Sequence, residues 1–180
     1  MPRYGIAVDT TKCVGCHACR VACQNQNELD YNQSYNRIKE LERGKFPSVT
    51  KEFVPLQCNH CENAPCQRVC PTGATYTTKE GVVLVNRKTC VGCKYCIEAC
   101  PYKVRILDHH SGIVTKCRLC IEMVREGGIP ACVSTCPTQV RIFGDLDDPN
   151  SEISRFIARY RAEPLRPDLN TRPKIFYRRS

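Results

Sequence analysis

Apolar residues along this chain come in short runs broken by polar residues, glycine and proline, so the pattern predicts many brief elements and few long ones. Residues 4–8 and 82–85 read as short strands. Residues 36–42 and 49–56 read as extended segments joined by a turn through Gly44 and Pro47. A hairpin is expected from 104–107 and 113–115 around Asp108-His109-His110-Ser111-Gly112, and 140–143 adds one more short strand. One amphipathic helix is expected behind Ser151 as its cap, where Ile153, Phe156, Ile157 and Tyr160 recur at i, i+3, i+4 and i+7. That stripe reads as ordinary packing, with partner docking as the alternative. Residues 163–180 are rich in Pro and Arg and show no periodicity, which predicts a tail running extended over a partner.

Composition explains why the runs are short. The chain has 180 residues, of which 16 are cysteine and none tryptophan, so it cannot assemble a large apolar core. Disulfides or metal must hold it together instead. Disulfides need an oxidising compartment, but the N-terminal residues have no apolar signal-like run and Asp9 interrupts them at once. No stretch approaches the eighteen or so apolar residues of a membrane span. The expectation is a chain made in the cytosol, without direct membrane insertion, whose cysteines hold metal. The formal charge of +9 counts every cysteine as a neutral thiol. Four iron–sulfur cubanes with their thiolates would bring about −8, leaving the loaded protein near +1. That removes most of the support for a nucleic-acid partner, and no interleaved stacking aromatics supply any.

The cysteines fall into four groups of four. Group I (Cys13, Cys16, Cys19, Cys23) and group III (Cys90, Cys93, Cys96, Cys100) share the spacing C-x2-C-x2-C-x3-C. Group II (Cys58, Cys61, Cys66, Cys70) is C-x2-C-x4-C-x3-C, and group IV is Cys117, Cys120, Cys132 and Cys136. Pro71, Pro101 and Pro137 follow the last cysteines of groups II, III and IV, where group I has Gln24. This is the bacterial ferredoxin signature: three cysteines in a tight loop hold one [4Fe–4S] cube, and the fourth points away to a second. Zinc would use two C-x2-C knuckles across a longer loop, a description that group IV alone could meet.

An internal repeat guides the pairing. Val8-Asp9-Thr10-Thr11-Lys12-Cys13-Val14-Gly15-Cys16 matches Val85-Asn86-Arg87-Lys88-Thr89-Cys90-Val91-Gly92-Cys93, and both run on to a final Ala-Cys. Groups II and III are adjacent and should exchange their fourth cysteines. One cluster then takes Cys70, Cys90, Cys93 and Cys96, and another Cys58, Cys61, Cys66 and Cys100. Groups I and IV form the outer pair, one cluster on Cys13, Cys16, Cys19 and Cys136 and the other on Cys23, Cys117, Cys120 and Cys132. Pairing of successive groups is the alternative. The fold expected is α+β, two interleaved ferredoxin-like units with an extended C-terminal tail. Residues 1–35 and 110–150 make the outer unit, 56–109 the inserted unit, 36–55 a connecting segment, and 151–180 a helix and docking tail.

His17 and His60 lie inside cysteine loops, where they fill a loop position and tune a cluster through a hydrogen bond, while His109 and His110 are expected to be solvated. Lys94, Lys103, Lys116 and Arg118 either compensate cluster charge or simply balance the surface. The three prolines are read as ending cluster helices and excluding water. No nucleophile elbow, P-loop, dinucleotide fingerprint or metallohydrolase motif is present, and irons saturated by thiolates move electrons one at a time.

The cysteine frame, with Cys70-Pro71-Thr72-Gly73-Ala74, Cys100-Pro101-Tyr102 and Pro130-Ala131-Cys132, resembles the iron–sulfur subunits of molybdopterin oxidoreductases of the dimethyl-sulfoxide reductase type. Phe143-Gly144-Asp145-Leu146-Asp147-Asp148-Pro149 and Arg172-Pro173-Lys174-Ile175-Phe176-Tyr177 look most like the polysulfide and thiosulfate reductase branch, with tetrathionate and arsenate reductase subunits similar. The resemblance implies a non-catalytic electron-transfer subunit, bound to a molybdenum or tungsten bis-pterin catalytic subunit and an integral-membrane, quinone-reactive anchor. It places the cluster of Cys13, Cys16, Cys19 and Cys136 toward the catalytic subunit and that of Cys70, Cys90, Cys93 and Cys96 toward the membrane. Nitrate reductase relatives carry a Trp at the place of Cys93, so its presence implies four full cubanes. The resemblance also implies a peripheral position at the cytoplasmic membrane, the periplasmic face favoured by co-export with the catalytic subunit. A stand-alone soluble polyferredoxin is the alternative function, and a colourless zinc module the third.

Overall fold

A computed structural model describes residues 2–179. Strand β1 (Tyr4–Asp9) opens the chain, and Asp9 then caps a single 3-10 turn by accepting the Thr11 N–H (3.3 Å) and hydroxyl (2.6 Å). Helix α1 (Ala18–Gln26) follows the first cysteine loop. Strands β2 (Arg37–Lys45) and β3 (Ser48–Leu56) form a long hairpin turning at Phe46-Pro47, with Arg37 opposite Leu56. Its tip is exposed and its base enters the core at Val54. Helix α2 (Pro65–Arg68), strands β4 (Thr75–Thr77) and β5 (Val83–Val85), and helix α3 (Tyr95–Glu98) come next. A second ribbon of β6 (Ile106–Leu107) and β7 (Val114–Thr115) leads to helices α4 (Ile121–Arg125) and α5 (Ala131–Ser134). The chain closes with β8 (Arg141–Asp145), helix α6 (Glu152–Tyr160) and β9 (Ile175–Arg178). This mixture of short helices and strands is α+β, as expected, although β4 lacked any signal in the sequence pattern.

The main sheet has the order β8-β1-β9, antiparallel between β1 and β8 (Tyr4 opposite Asp145) and parallel between β1 and β9 (Ile6 opposite Ile175). Its central strand is apolar without alternation because both faces are covered. Ile6 and Val8 pack with Val54, Leu119, Ile121, Val140 and Tyr177, while Ala7 faces Ile153 and Phe156 of α6. Ser151 caps α6 by accepting the Ser154 N–H at 3.2 Å, and the Ile153 stripe is therefore packing. Gly5 is required by close approach: a Cβ there would lie 2.7 Å from the Lys174 carbonyl oxygen.

The C-terminal segment corrects the expectation of an extended, partner-bound tail. Residues 163–178 fold back on the chain, and β9 becomes an edge of the main sheet with Ile175 and Tyr177 buried. The Tyr177 hydroxyl donates to the Pro55 carbonyl (2.9 Å), Arg178 pairs with buried Asp9 (3.1 Å), and Arg179 pairs with Glu52 (2.9 Å). Arg179 first, and Thr10 and Arg43 beside it, hold the Glu52 carboxyl below its ordinary range although burial opposes them. The segment escaped sequence reading because a four-residue strand has no period of its own. Its partners Asp9 and Arg178 also lie 169 positions apart.

Ile175→Ala should destabilise the chain by about 2–5 kcal/mol, the cost of a cavity at a fully buried isoleucine. A denaturant titration of the cluster-loaded protein measures it, and a free tail would leave the midpoint unmoved.

Candidate metal centres

Each cysteine group begins in a loop that needs left-handed backbone. Gly15 (φ +68°) and Gly92 (φ +65°) occupy equivalent places in the two repeats, and a Cβ on Gly15 would strike the Phe53 ring at 2.6 Å. His17 (φ 60°) and Lys94 (φ 66°) then stand as the left-handed residues before α1 and α3. His17 makes no side-chain cap bond, so it fills a loop position as Lys94 does. Cys120 itself plays this part before α4. After the loops, α1 carries Cys19 and Cys23, α2 carries Cys66, α3 carries Cys96 and α5 carries Cys132, all buried.

A second recurring turn follows the last cysteine of groups II, III and IV. The third residue beyond it is left-handed in each case: Gly73 (φ +66°), Lys103 (φ +51°) and Gln139 (φ +51°). Their N–H groups return to the carbonyls of Cys70 (3.3 Å), Cys100 (3.1 Å) and Cys136 (3.2 Å). Pro71, Pro101 and Pro137 sit at the start of these turns and are exposed, which fits ending a helix better than excluding water.

Two cysteine-lined cavities form in the inner part of the chain. Cys58, Cys61, Cys66 and Cys100 line one cavity, walled by Val83, Val104 and Arg105. Cys70, Cys90, Cys93 and Cys96 line the other, walled by Ala74, Thr75, Val85 and Val114. In each, one thiol comes from the neighbouring group. In the outer part, burial raises the Cys13 pKa and the charges of Cys19 and Cys136 add to it. Burial, then Cys132 and Cys120, pushes Cys23 up to about 12. Cys117 is raised by burial and by Cys23, Cys58 and Cys132, and it packs against Cys58 and Cys100. Burial likewise pushes Cys61 up to about 12. Cys16 and Cys93 are exposed at equivalent positions of the two loops.

Among the described residues no three His, Cys, Asp or Glu side chains are placed to hold a single metal ion. Four thiols around a cavity instead suit a polynuclear cluster, whose corners are spread. The buried charges fit such an anion. Arg105, Lys116, Arg141 and Lys174 are all buried and have no carboxylate partner among the described residues. Lys116 has only the carbonyls of Val83 and Cys117, the latter at 2.9 Å. Arg105 donates to the Cys66 sulfur at 3.0 Å, and Arg141 to that of Cys19 at 3.9 Å. Unpaired buried cations cost several kcal/mol, so thiolate clusters of about −2 each are the compensating charge.

Of the basic residues singled out in the sequence, only Lys116 is buried; Lys94, Lys103 and Arg118 are exposed. Arg105 and Arg141 were missed. Their signal is the repeat Cys-Pro-x-x-Val-Arg at 100–105 and 136–141. His60 is buried, its Nδ1 accepting the Val83 N–H at 3.2 Å. Burial, with Lys116, Lys174 and Arg105 nearby, keeps the ring neutral, so its proton lies on Nε2, which has no partner among the described residues. His110 contacts Asp30 at 2.9 Å on the surface.

Two families of 4Fe-4S dicluster domain match the chain, one over residues 49–146 and the other over residues 12–74. With sixteen cysteines, two dicluster matches imply four [4Fe–4S] clusters. The chain is 37% identical to a tetrathionate reductase subunit of Salmonella typhimurium, over 97% of this chain and 72% of that one. It is 42% identical to protein NrfC of Escherichia coli, over 97% and 79% respectively. It is 33% identical to the arsenate respiratory reductase iron-sulfur subunit ArrB of a Shewanella species, over 99% and 97%.

Removing iron by anaerobic chelation should unfold the chain, because it empties the cavities and strands the buried cations. Far-UV circular dichroism and visible colour should vanish in one coincident transition. Retained secondary structure after complete bleaching would refute this dependence.

Proposed function

Because the chain belongs to the iron–sulfur subunits of the dimethyl-sulfoxide reductase type of molybdopterin oxidoreductases, we propose that it relays single electrons between a molybdopterin catalytic subunit and a quinone-linked membrane anchor. Each bound cubane would take up and release one electron, and the chain's own residues hold, space and bury the cubanes. The proposed ligand sets are Cys13, Cys16, Cys19 and Cys136 for the first cluster, and Cys23, Cys117, Cys120 and Cys132 for the second. The third takes Cys58, Cys61, Cys66 and Cys100, and the fourth Cys70, Cys90, Cys93 and Cys96.

The observation that carries this reading is the mixed origin of the thiols around each inner cavity, with Cys100 joining group II and Cys70 joining group III. It supports an inner ferredoxin-like unit of groups II and III, around which we propose that groups I and IV make the outer one. Contact of Cys117 with Cys58 and Cys100 supports a single file in which the second cluster hands on to the third. Cys16 would then mark one end and Cys93 the other. Exposed Val14 and Val21 surround the first end, and exposed Val91 and Tyr95 the second, as docking with a partner at each end requires.

Among the described residues no helix is long and apolar enough to cross a membrane. The chain in this proposal is a non-catalytic, peripheral member of a membrane-bound complex, on the periplasmic face. The substrate belongs to the catalytic subunit, and residues 143–149 and 172–177 favour the polysulfide and thiosulfate branch.

Cys58→Ser and Cys100→Ser should each abolish or alter the same electron paramagnetic resonance signal, and Cys70→Ser and Cys96→Ser a different one. If Cys100→Ser instead affects the signal lost in Cys96→Ser, each cluster forms within one group, and if it affects the signal lost in Cys132→Ser, successive groups pair; either outcome means the interleaving is wrong. Purification from native membranes should yield molybdenum or tungsten and two further polypeptides with the chain, whereas a lone iron-loaded chain would favour a polyferredoxin.

A further inference from the structure

Groups III and IV end in the same hexapeptide pattern, Cys100-Pro101-Tyr102-Lys103-Val104-Arg105 and Cys136-Pro137-Thr138-Gln139-Val140-Arg141. The left-handed residue at the fourth place reverses the chain, Val104 and Val140 are buried, and the arginine that follows is carried back inside. Both guanidiniums are almost fully sequestered, at 4% exposure for Arg105 and 3% for Arg141.

Arg105 stands between the two inner ligand sets. Its Nη2 donates to the Cys66 sulfur at 3.0 Å, and its Nη1 to the Thr75 hydroxyl at 3.3 Å. Thr75 in turn donates its backbone N–H to the Cys70 sulfur at 3.4 Å. Thr75 occupies in group II the register that the arginines hold in groups III and IV, five residues beyond the last cysteine. Arg105 thus reaches Cys66 of one inner set directly and Cys70 of the other through Thr75, and it lines the cavity of the first set.

Arg141 has the corresponding place in the outer pair. Its Nη2 donates to Asn36 Oδ1 at 2.8 Å and reaches the Cys19 sulfur at 3.9 Å, and its Nη1 donates to Gln57 Oε1 at 3.1 Å. Arg141 opens β8, which packs against α5, the helix carrying Cys132 of the second outer set, and α5 packs in turn on α1, which carries Cys19 and Cys23. Asn36 also donates to the Cys19 carbonyl at 3.3 Å, so the guanidinium is held by neutral groups that leave its charge unspent.

We propose that Arg105 and Arg141 are each the shared counter-charge of one cluster pair, raising the reduction potentials of both its members. The proposal rests on the ligand sets given above. Adding an electron to a cubane adds negative charge, and a buried cation within reach of two cubanes stabilises the reduced form of both. A side chain serving only packing would leave the potentials alone, and one serving a single ligand would move a single potential.

The test is a redox titration of the full, cluster-loaded chain, followed by electron paramagnetic resonance, in Arg105→Gln, Arg141→Gln and the double variant. Arg105→Gln should lower two of four reduction steps, Arg141→Gln the other two, and the double variant all four. Each affected step should lose about tenfold in its reduced-to-oxidised ratio at fixed ambient potential, about 59 mV for one electron. Arg105→Lys and Arg141→Lys, which keep the charge, should move the same steps by less. If a glutamine variant does not retain its irons, the lysine variant is read in its place. A single step moved, the same two steps moved by both arginines, no movement, or equal shifts for lysine and glutamine would each overturn the proposal. Failure of the underlying reading looks different: a wild-type chain with fewer than sixteen irons overturns the ligand sets and this proposal together. Sixteen irons with unmoved potentials overturn only the role of the arginines.

Discussion

A cation sealed from water needs an anion within a few ångströms, and this chain seals in four cations, Arg105, Lys116, Arg141 and Lys174, none with a carboxylate partner among the described residues. Empty thiols do not answer the need, because burial pushes Cys23 and Cys61 up to about 12 and keeps them neutral. Iron-bound thiolates do. The charge balance of the interior is thus completed by the inorganic groups, and the fold and its cargo stabilise each other. The formal +9 of the bare chain reads the same way: the excess of basic residues is provision for the clusters rather than for an outside polyanion.

The same economy shapes the backbone. Very little apolar material is available, and most of it serves the three-stranded sheet and α6, where Ile6, Val8, Ile153 and Ile175 are fully buried. Elsewhere helices are too short to persist by themselves, and α2, α3 and α5, of four residues each, carry one cysteine apiece. Left-handed residues set the direction before α3 and α4 and in the turns after α2, α3 and α5. In the proposed arrangement this yields a file of clusters with ligands exposed only near its two ends, so partners could reach the first and last members while the middle stays dry.

Much of this was legible in the sequence, for reasons that differ by element. The hairpin of β2 and β3 and the Ser151-capped helix were visible because their periods and caps are local. The cysteine frame was visible because ligand spacing is dictated by cluster geometry. Helix α3 and its loop could be read from α1 through the repeat. The strand at 175–178 was not, since its only reason to be a strand is β1, far away along the chain. Nor were Arg105 and Arg141 found, because charge was judged by nearness to cysteine in sequence. That criterion picked out Lys94, Lys103 and Arg118, which point to solvent, whereas the buried arginines return from a turn five residues later.

The parallel seating of β9 beside β1 also orders events in time. A ribosome makes β1 before either neighbour, the antiparallel one ending at Asp145 and the parallel one at Arg178. Every cysteine around the two inner cavities, from Cys58 to Cys100, has been synthesised well before either neighbour is complete. The inner ligand sets are thus contiguous in the chain, whereas the first cysteine loop hangs from a strand whose two neighbours come only after every cysteine. Closure of the main sheet is a long-range event laid over a locally assembled interior, so loss of β9 would open the outer half and leave the contiguous inner half the better protected.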